Sequence, residues 1–182
     1  MATPVRSLQS SDASTPLDGL ETLDSCHRQT LFTLGKLAAL ISRLGSRGAD
    51  AEARAMAAEI VDFFAGTARA HHEDEERHVF APLLASGDPE IVQAVLRLKQ
   101  DHGWLEEDWR ELSPQLKAVA EGQCGLDLDG LRAGVLVFTA LSHDHISLEE
   151  SLIYPQARAR LQPRERHAMG REMAARRRGK AA

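Results

Sequence analysis

Four histidines in this chain stand at intervals that a helix would turn toward one another, and two of them are followed by a glutamate at a fixed distance. His72 and Glu76 lie in HHEDEERHVFAP, residues 71–82, and His145 and Glu149 lie in HISLEESLIYP, residues 145–155. His27 and His102 stand alone. A His-x3-Glu pair sets an imidazole and a carboxylate one turn apart on the same helix face. Both are donors that suit iron, manganese or zinc. A dense charge run by itself usually marks a solvated helix face, so the weight falls on where the histidines sit relative to the apolar residues.

The elements that must carry them are helices. From Leu17 onward Ala, Leu, Glu and Arg dominate, and turn residues cluster only at LGSRGAD (44–50), SGDP (86–89) and EGQCGLDLDG (121–130). The spans between predict helices over residues 18–45, 50–85, 89–121 and 127–161, an all-α, up-down-up-down four-helix bundle. Asp88 before Pro89 reads as an N-cap with proline at the first helical position, and Gly45, Gly87 and Gly122 stand where C-terminal caps belong. Pro114 is expected to kink the third helix. Residues 1–15 read as a flexible tail and residues 16–161 as the bundle. Residues 162–182 read as a helical extension whose basic tail is a solvated helix end.

On these helices each of the four histidines interrupts an apolar stripe. The third helix runs Ile91, Val95, Leu98, His102, Leu105, Trp109, Leu112, and the fourth runs Phe138, Leu141, His145, Leu148, Leu152 with Glu149 beside the histidine. The first offers Leu20, Leu23, His27, Leu31, Leu34, Ile41, and the second Val61, Ala65, Ala68, His72, Glu76, Val79, Leu83. Counted from the turns at about 1.5 Å per residue, all four histidines reach one layer to within roughly 6 Å. One such histidine is usually a satisfied core residue. Four in one layer with two ionised carboxylates require compensating positive charge, and no Lys or Arg stands on those stripes. A metal centre supplies it.

The two glutamate-bearing runs form an internal repeat, with proline ten residues after each histidine. In a chain with 8 His, 15 Glu and 7 Pro, H-x3-E-x5-P is expected about 0.025 times by chance. His27 precedes His72 by 45 residues and His102 precedes His145 by 43, so the chain divides into two similar helical hairpins. Two equivalent halves predict two ions, with Glu76 and Glu149 bridging, His27 and His72 on one side, and His102 and His145 on the other. His71 with Glu75 has the same spacing but lies about 100° round the helix, and Asp144 stands at its counterpart in the repeat, so it ranks second. Glu73, Glu75 and Glu106 are candidates for extra or supporting ligands. His78, His143 and His167 read as surface residues, Cys26 as pointing away from the metals, Trp109 as core packing, and Tyr154 as having no clear partner.

This order, H, H-x3-E, H, H-x3-E, resembles the hemerythrin-like HHE cation-binding domain over residues 17–161. Its closest pattern resembles the di-iron proteins of the Repair of Iron Centres group. That resemblance implies His27, His72, Glu76, His102, His145 and Glu149 as ligands to two non-haem irons, oxo- or hydroxo-bridged, with manganese and zinc as alternatives. The amino-terminal cysteine-bearing domain of that group has no counterpart in these 182 residues, and Glu106 stands where oxygen-carrying hemerythrins have a further histidine. The resemblance implies handling of O2, NO or peroxide, or of iron, under oxidative or nitrosative stress. The contrasting expectation is a metal-stapled bundle acting as an interaction or sensor module. A net charge of −5 and a pI near 5.9 predict no nucleic-acid or membrane partner. Cys26 and Cys124, far apart and in no CxxC pair, predict reduced thiols and a cytoplasmic location.

Overall fold

The computed structural model describes residues 18–123, 125 and 127–179; the expected amino-terminal tail, Cys124 and the last three residues lie outside the described residues. The described residues form helices and turns, with no strand. Helix α1 is Gly19–Arg47. Helix α2 covers residues 51–84, with α-helical stretches Ala51–Asp62, Arg69–Glu75 and Ala81–Leu84 separated by π-helical stretches Phe63–Ala68 and Glu76–Phe80. Helix α3 is Pro89–Glu121. Helix α4 covers residues 128–160, with a π-helical stretch Glu149–Ile153 between Leu128–Leu148 and Tyr154–Arg160. Helix α5 is Pro163–Gly179.

Each of the four long helices begins on an aspartate whose carboxylate accepts a backbone N–H of the first turn: Asp18, Asp50, Asp88 and Asp127. At the far end of α3, Gly122 adopts φ 75°, and the N–H groups of Gly122 and Gln123 bond back to the carbonyls of Val119 and Ala118. That left-handed cap is the conformation glycine supplies without strain. Helix α1 runs through Gly45, expected to end it, and stops at Gly48, where φ is 69°.

Helices α1 and α3 each pack against both α2 and α4. The core between them is split in two. One apolar cluster gathers Leu37, Leu40, Ala57, Ile60, Leu116, Val119 and Leu131 among others. The second gathers Leu20, Leu23, Val79, Leu83, Val95, Leu98 and Ile153. The buried histidines and two buried glutamates separate them.

Helix α5 is more than a solvated end. Met169 and Met173, one turn apart, bury themselves in the second cluster, and a Cβ on Gly19 would overlap the Met169 side chain, so α5 lies close on the start of α1. Arg166 Nε pairs with Asp18 Oδ2 at 2.8 Å. Arg176 and Arg177 pair with the buried carboxylate of Asp74, the latter at 3.2 Å. His78, read as a surface residue, is part of this seam and bonds Glu172 at 2.5 Å. The basic residues thus stabilise a carboxylate that would be costly to bury alone.

Leu116 is fully buried, whereas Leu136 on α4 is 66% exposed. Leu116→Ala is expected to lower the unfolding free energy by about 2–5 kcal/mol. Leu136→Ala should shift it by no more than about 0.5 kcal/mol. Urea titration followed by circular dichroism measures both.

Candidate metal centre

Seven side chains from four helices meet in the layer between the two apolar clusters. They are His27 from α1, His71, His72 and Glu75 from α2, His102 from α3, and His145 and Glu149 from α4. They form two groups whose donor atoms lie within 4.8 Å of one another: His72, Glu75, His102 and His145 (group A), and His27, His71, Glu75 and Glu149 (group B). Glu75 belongs to both. Its Oε1 is 3.2 Å from His71 Nε2 and its Oε2 is 3.5 Å from His102 Nε2. Glu149 also spans the groups, with Oε2 3.1 Å from His27 Nε2 and 3.2 Å from His145 Nε2. Donors that bind one ion at about 2.0–2.2 Å stand about 3 Å apart when adjacent in its coordination sphere, which is the spacing seen here.

Of the six residues expected as ligands, the structure brings five into these groups: His27, His72, His102, His145 and Glu149. Glu76 is in neither. Its side chain is 39% exposed, its Oε1 lies 3.0 Å from His102 Nδ1, and its Oε2 lies 3.2 Å from Lys99 Nζ. Glu75, fully buried, is the carboxylate shared by the two groups, and His71, 2% exposed, joins His27 where His72 was expected. The observed buried stripe of α2 runs Val61, Phe64, Ala68, His71, Glu75, Val79, Leu83. Between Phe64 and Val79 it departs from the expected stripe by one residue, at Phe64, His71 and Glu75. His71 lies three residues after Ala68 and His72 four, so helical spacing admits either, and packing in the bundle selects the residue that is buried. The two prolines align the sequence repeat one residue out of step with the repeat in space, His71-x3-Glu75 against His145-x3-Glu149. The adjacent pair His71–His72, feeding the two groups separately, was the available signal.

The layer is short of positive charge. Glu75 Oε2, both carboxylate oxygens of Glu149, and the Nε2 atoms of His102 and His145 are buried without a hydrogen-bond partner. Burial lowers the pKa of His27, but the carboxylates of Glu149 and Glu75 outweigh it and lift the group to about 9. His71 is likewise raised well above the ordinary imidazole value despite its burial, chiefly by Glu75, with the Cys26 thiol also against it. His72 is pushed well below, by burial and by the neighbouring His102. Burial works to raise Glu75, yet the histidines around it hold its carboxyl well below the usual range. Unpartnered carboxylate oxygens facing imidazole nitrogens in a buried layer fit divalent or trivalent cations, and the mixed imidazole–carboxylate set suits iron, manganese or zinc.

Outside the groups, acceptors sit at the far nitrogens of two histidines. Glu150 Oε1 is 3.2 Å from His27 Nδ1, and Glu76 takes the same position behind His102. Such carboxylates hold the imidazole with Nε2 turned inward. Asp101, also buried, stands 3.8 Å from His145 Nδ1. Tyr154, without a partner in the sequence reading, reaches the centre itself. Its hydroxyl donates to Glu75 Oε1 at 2.5 Å and lies 3.1 Å from His27 Nε2, with the ring stacked on that of His27. Burial and the nearby carboxylates push the phenol well above its ordinary pKa.

A cavity of about 950 Å³ adjoins the layer. His27, His71, His72, His102 and His145 stand on its wall, with Phe64, Trp109 and Phe138 on its apolar side. Exposed Arg69, Glu106 and Arg110 carry that wall to the surface, so Glu106 lines the approach rather than the centre. A third cluster of donors, Asp74, His78 and Glu172, is neutralised by Arg176, Arg177 and Arg77 and reads as an ion-pair seam.

The chain matches the family described as Hemerythrin HHE cation binding domain over residues 18–157. It is also 30% identical over 158 residues to an uncharacterized protein of Haemophilus influenzae, covering 87% of this chain and 89% of that protein. The matched span begins at the cap of α1, ends within α4 and takes in every residue of both groups, so the chain belongs to the hemerythrin HHE cation-binding domain family.

Proposed function

We propose that this protein is a cytoplasmic non-haem di-iron protein that handles a small ligand (O2, NO or peroxide), or iron itself, under oxidative or nitrosative stress. In this reading the four long helices form an up-down-up-down bundle. His72, His102 and His145 would hold one ion, His27 and His71 the other, and Glu75 and Glu149 would lie between them. Glu76 keeps a role one step out, as the acceptor that fixes His102. Bound irons would supply one-electron redox chemistry and coordination positions for an exogenous ligand.

The observation that carries the proposal is the pair of fully buried carboxylates, each within reach of histidines from both groups. A single ion would leave half of these donors without a counter-charge. The cavity supports a route for ligand, since it joins the surface to histidines of both groups. The chain's own residues would do the rest: Glu76 and Glu150 orient imidazoles, the apolar clusters exclude bulk water from above and below, and Lys99 restrains Glu76.

Protein purified without chelator or added metal should carry two irons per chain and a visible spectrum that bleaches with dithionite. Two zincs with an invariant spectrum would instead favour the metal-stapled interaction module. Glu75→Gln is expected to abolish binding of both ions, whereas Glu76→Gln should retain two with affinity about 10–100-fold weaker. The opposite pattern in metal analysis would restore Glu76 as the bridge.

Proton competition gives a further test. His27 in the metal-free fold titrates near 9 against an ordinary value of 6.5. Its protonated form therefore stabilises that fold fully below about 6.5, a contribution lost as pH rises through about 9. A metal ion must displace this proton, so apparent affinity should fall about tenfold for each pH unit below about 9, per proton released. Chelator-competition titrations between pH 6.5 and pH 9 measure the slope.

A further inference from the structure

The two groups are unequal in a way that the histidines alone do not balance. Group A has three imidazoles, from His72, His102 and His145, and group B has two, from His27 and His71. Tyr154 stands at the poorer group. Its hydroxyl oxygen is 3.1 Å from His27 Nε2 and 2.5 Å from Glu75 Oε1, both of them group B donor atoms. The first distance equals that between His27 Nε2 and Glu149 Oε2, within the same group. These are the separations of adjacent donors around one ion. The residue is only 2% exposed, and its ring lies parallel to His27 at 5.0 Å with an interplanar angle of 5°. That stacking leaves the hydroxyl little freedom to leave the centre. With His71 paired to His145, the position that matches Tyr154 is Phe80, whose ring stacks on that of His102, so no second tyrosine serves group A.

We propose that Tyr154 is a protein ligand to the group B ion, bound through its phenolate oxygen, so that each ion has five protein donors with the two carboxylates shared. This rests on the dinuclear reading above. On binding, the phenol O–H bond breaks, the oxygen's electron pair forms the bond to the ion, and the proton leaves to solvent; no oxidant or reductant takes part. An anionic oxygen donor at group B favours the ferric state there.

The chain contains a single tyrosine, so any phenolate signal belongs to Tyr154. Metal-free protein loaded with ferric iron to two ions per chain should show a visible phenolate-to-iron charge-transfer band and tyrosinate ring modes in resonance Raman excited within it. Tyr154→Phe, which keeps the ring stacked on His27, should lose both signals while retaining two irons and a similar melting temperature. Two irons bound to the unaltered chain without tyrosinate modes would overturn the proposal and leave the dinuclear centre standing. Fewer than two irons bound to the unaltered chain would overturn the dinuclear reading and this ligand with it.

Discussion

Glu75 and Glu149 sit fully buried between two apolar clusters, and the rest of the molecule is arranged around that demand. An ionised carboxylate in such a layer is tolerated only where cationic or hydrogen-bonding groups surround it. Here imidazoles from all four long helices surround the pair. The layer therefore couples every helix of the bundle to the same electrostatic centre, while Leu, Ile, Val and Phe above and below it keep bulk water out. Protonated histidines can balance part of the charge in the metal-free chain, as the raised pKa values of His27 and His71 indicate. Metal ions balance it while also engaging the nitrogens and oxygens that otherwise lack partners.

Irregular helix geometry accompanies this arrangement. Among the described residues the three π-helical segments lie in α2 and α4, the helices that carry the glutamates, and two of them begin at Glu76 and Glu149. A π-helical turn re-aims the side chains around it relative to a regular helix, and such turns cluster at functional sites. In α2, His71 and His72 lie in the α-helical stretch between two such segments, where successive side chains point about 100° apart, and each faces a different group.

The acids left over from the charged run have separate duties. Glu76 orients His102 and pairs with Lys99, Asp74 anchors the basic end of α5, and Glu73 faces Arg69 and Arg176. The same short segment thus builds the centre on its inner side and secures the fifth helix on its outer side. This joins the carboxyl-terminal helix to the metal-binding helix through Asp74, directly next to Glu75 in the chain.

Much of this was legible in the sequence, and the part that was not has a common cause. Helix spans could be read to within two or three residues because caps, turn residues and composition act locally: Asp88-Pro89 and Gly122 mark their boundaries without reference to any partner. The meeting of His27, His102 and His145 in one layer was readable from helical periodicity and length, since both are fixed by backbone hydrogen bonding. What only the tertiary structure decided was the choice of Glu75 over Glu76, the entry of His71 beside His72, the reach of Tyr154 to Glu75 and His27, and the docking of α5 on Asp74. Helical periodicity confines a side chain to a stripe but not to one residue of it, since steps of three and of four both stay on the face. Which residue is buried, and which partner it meets from a helix about 80 or 100 residues away, are properties of the assembled bundle.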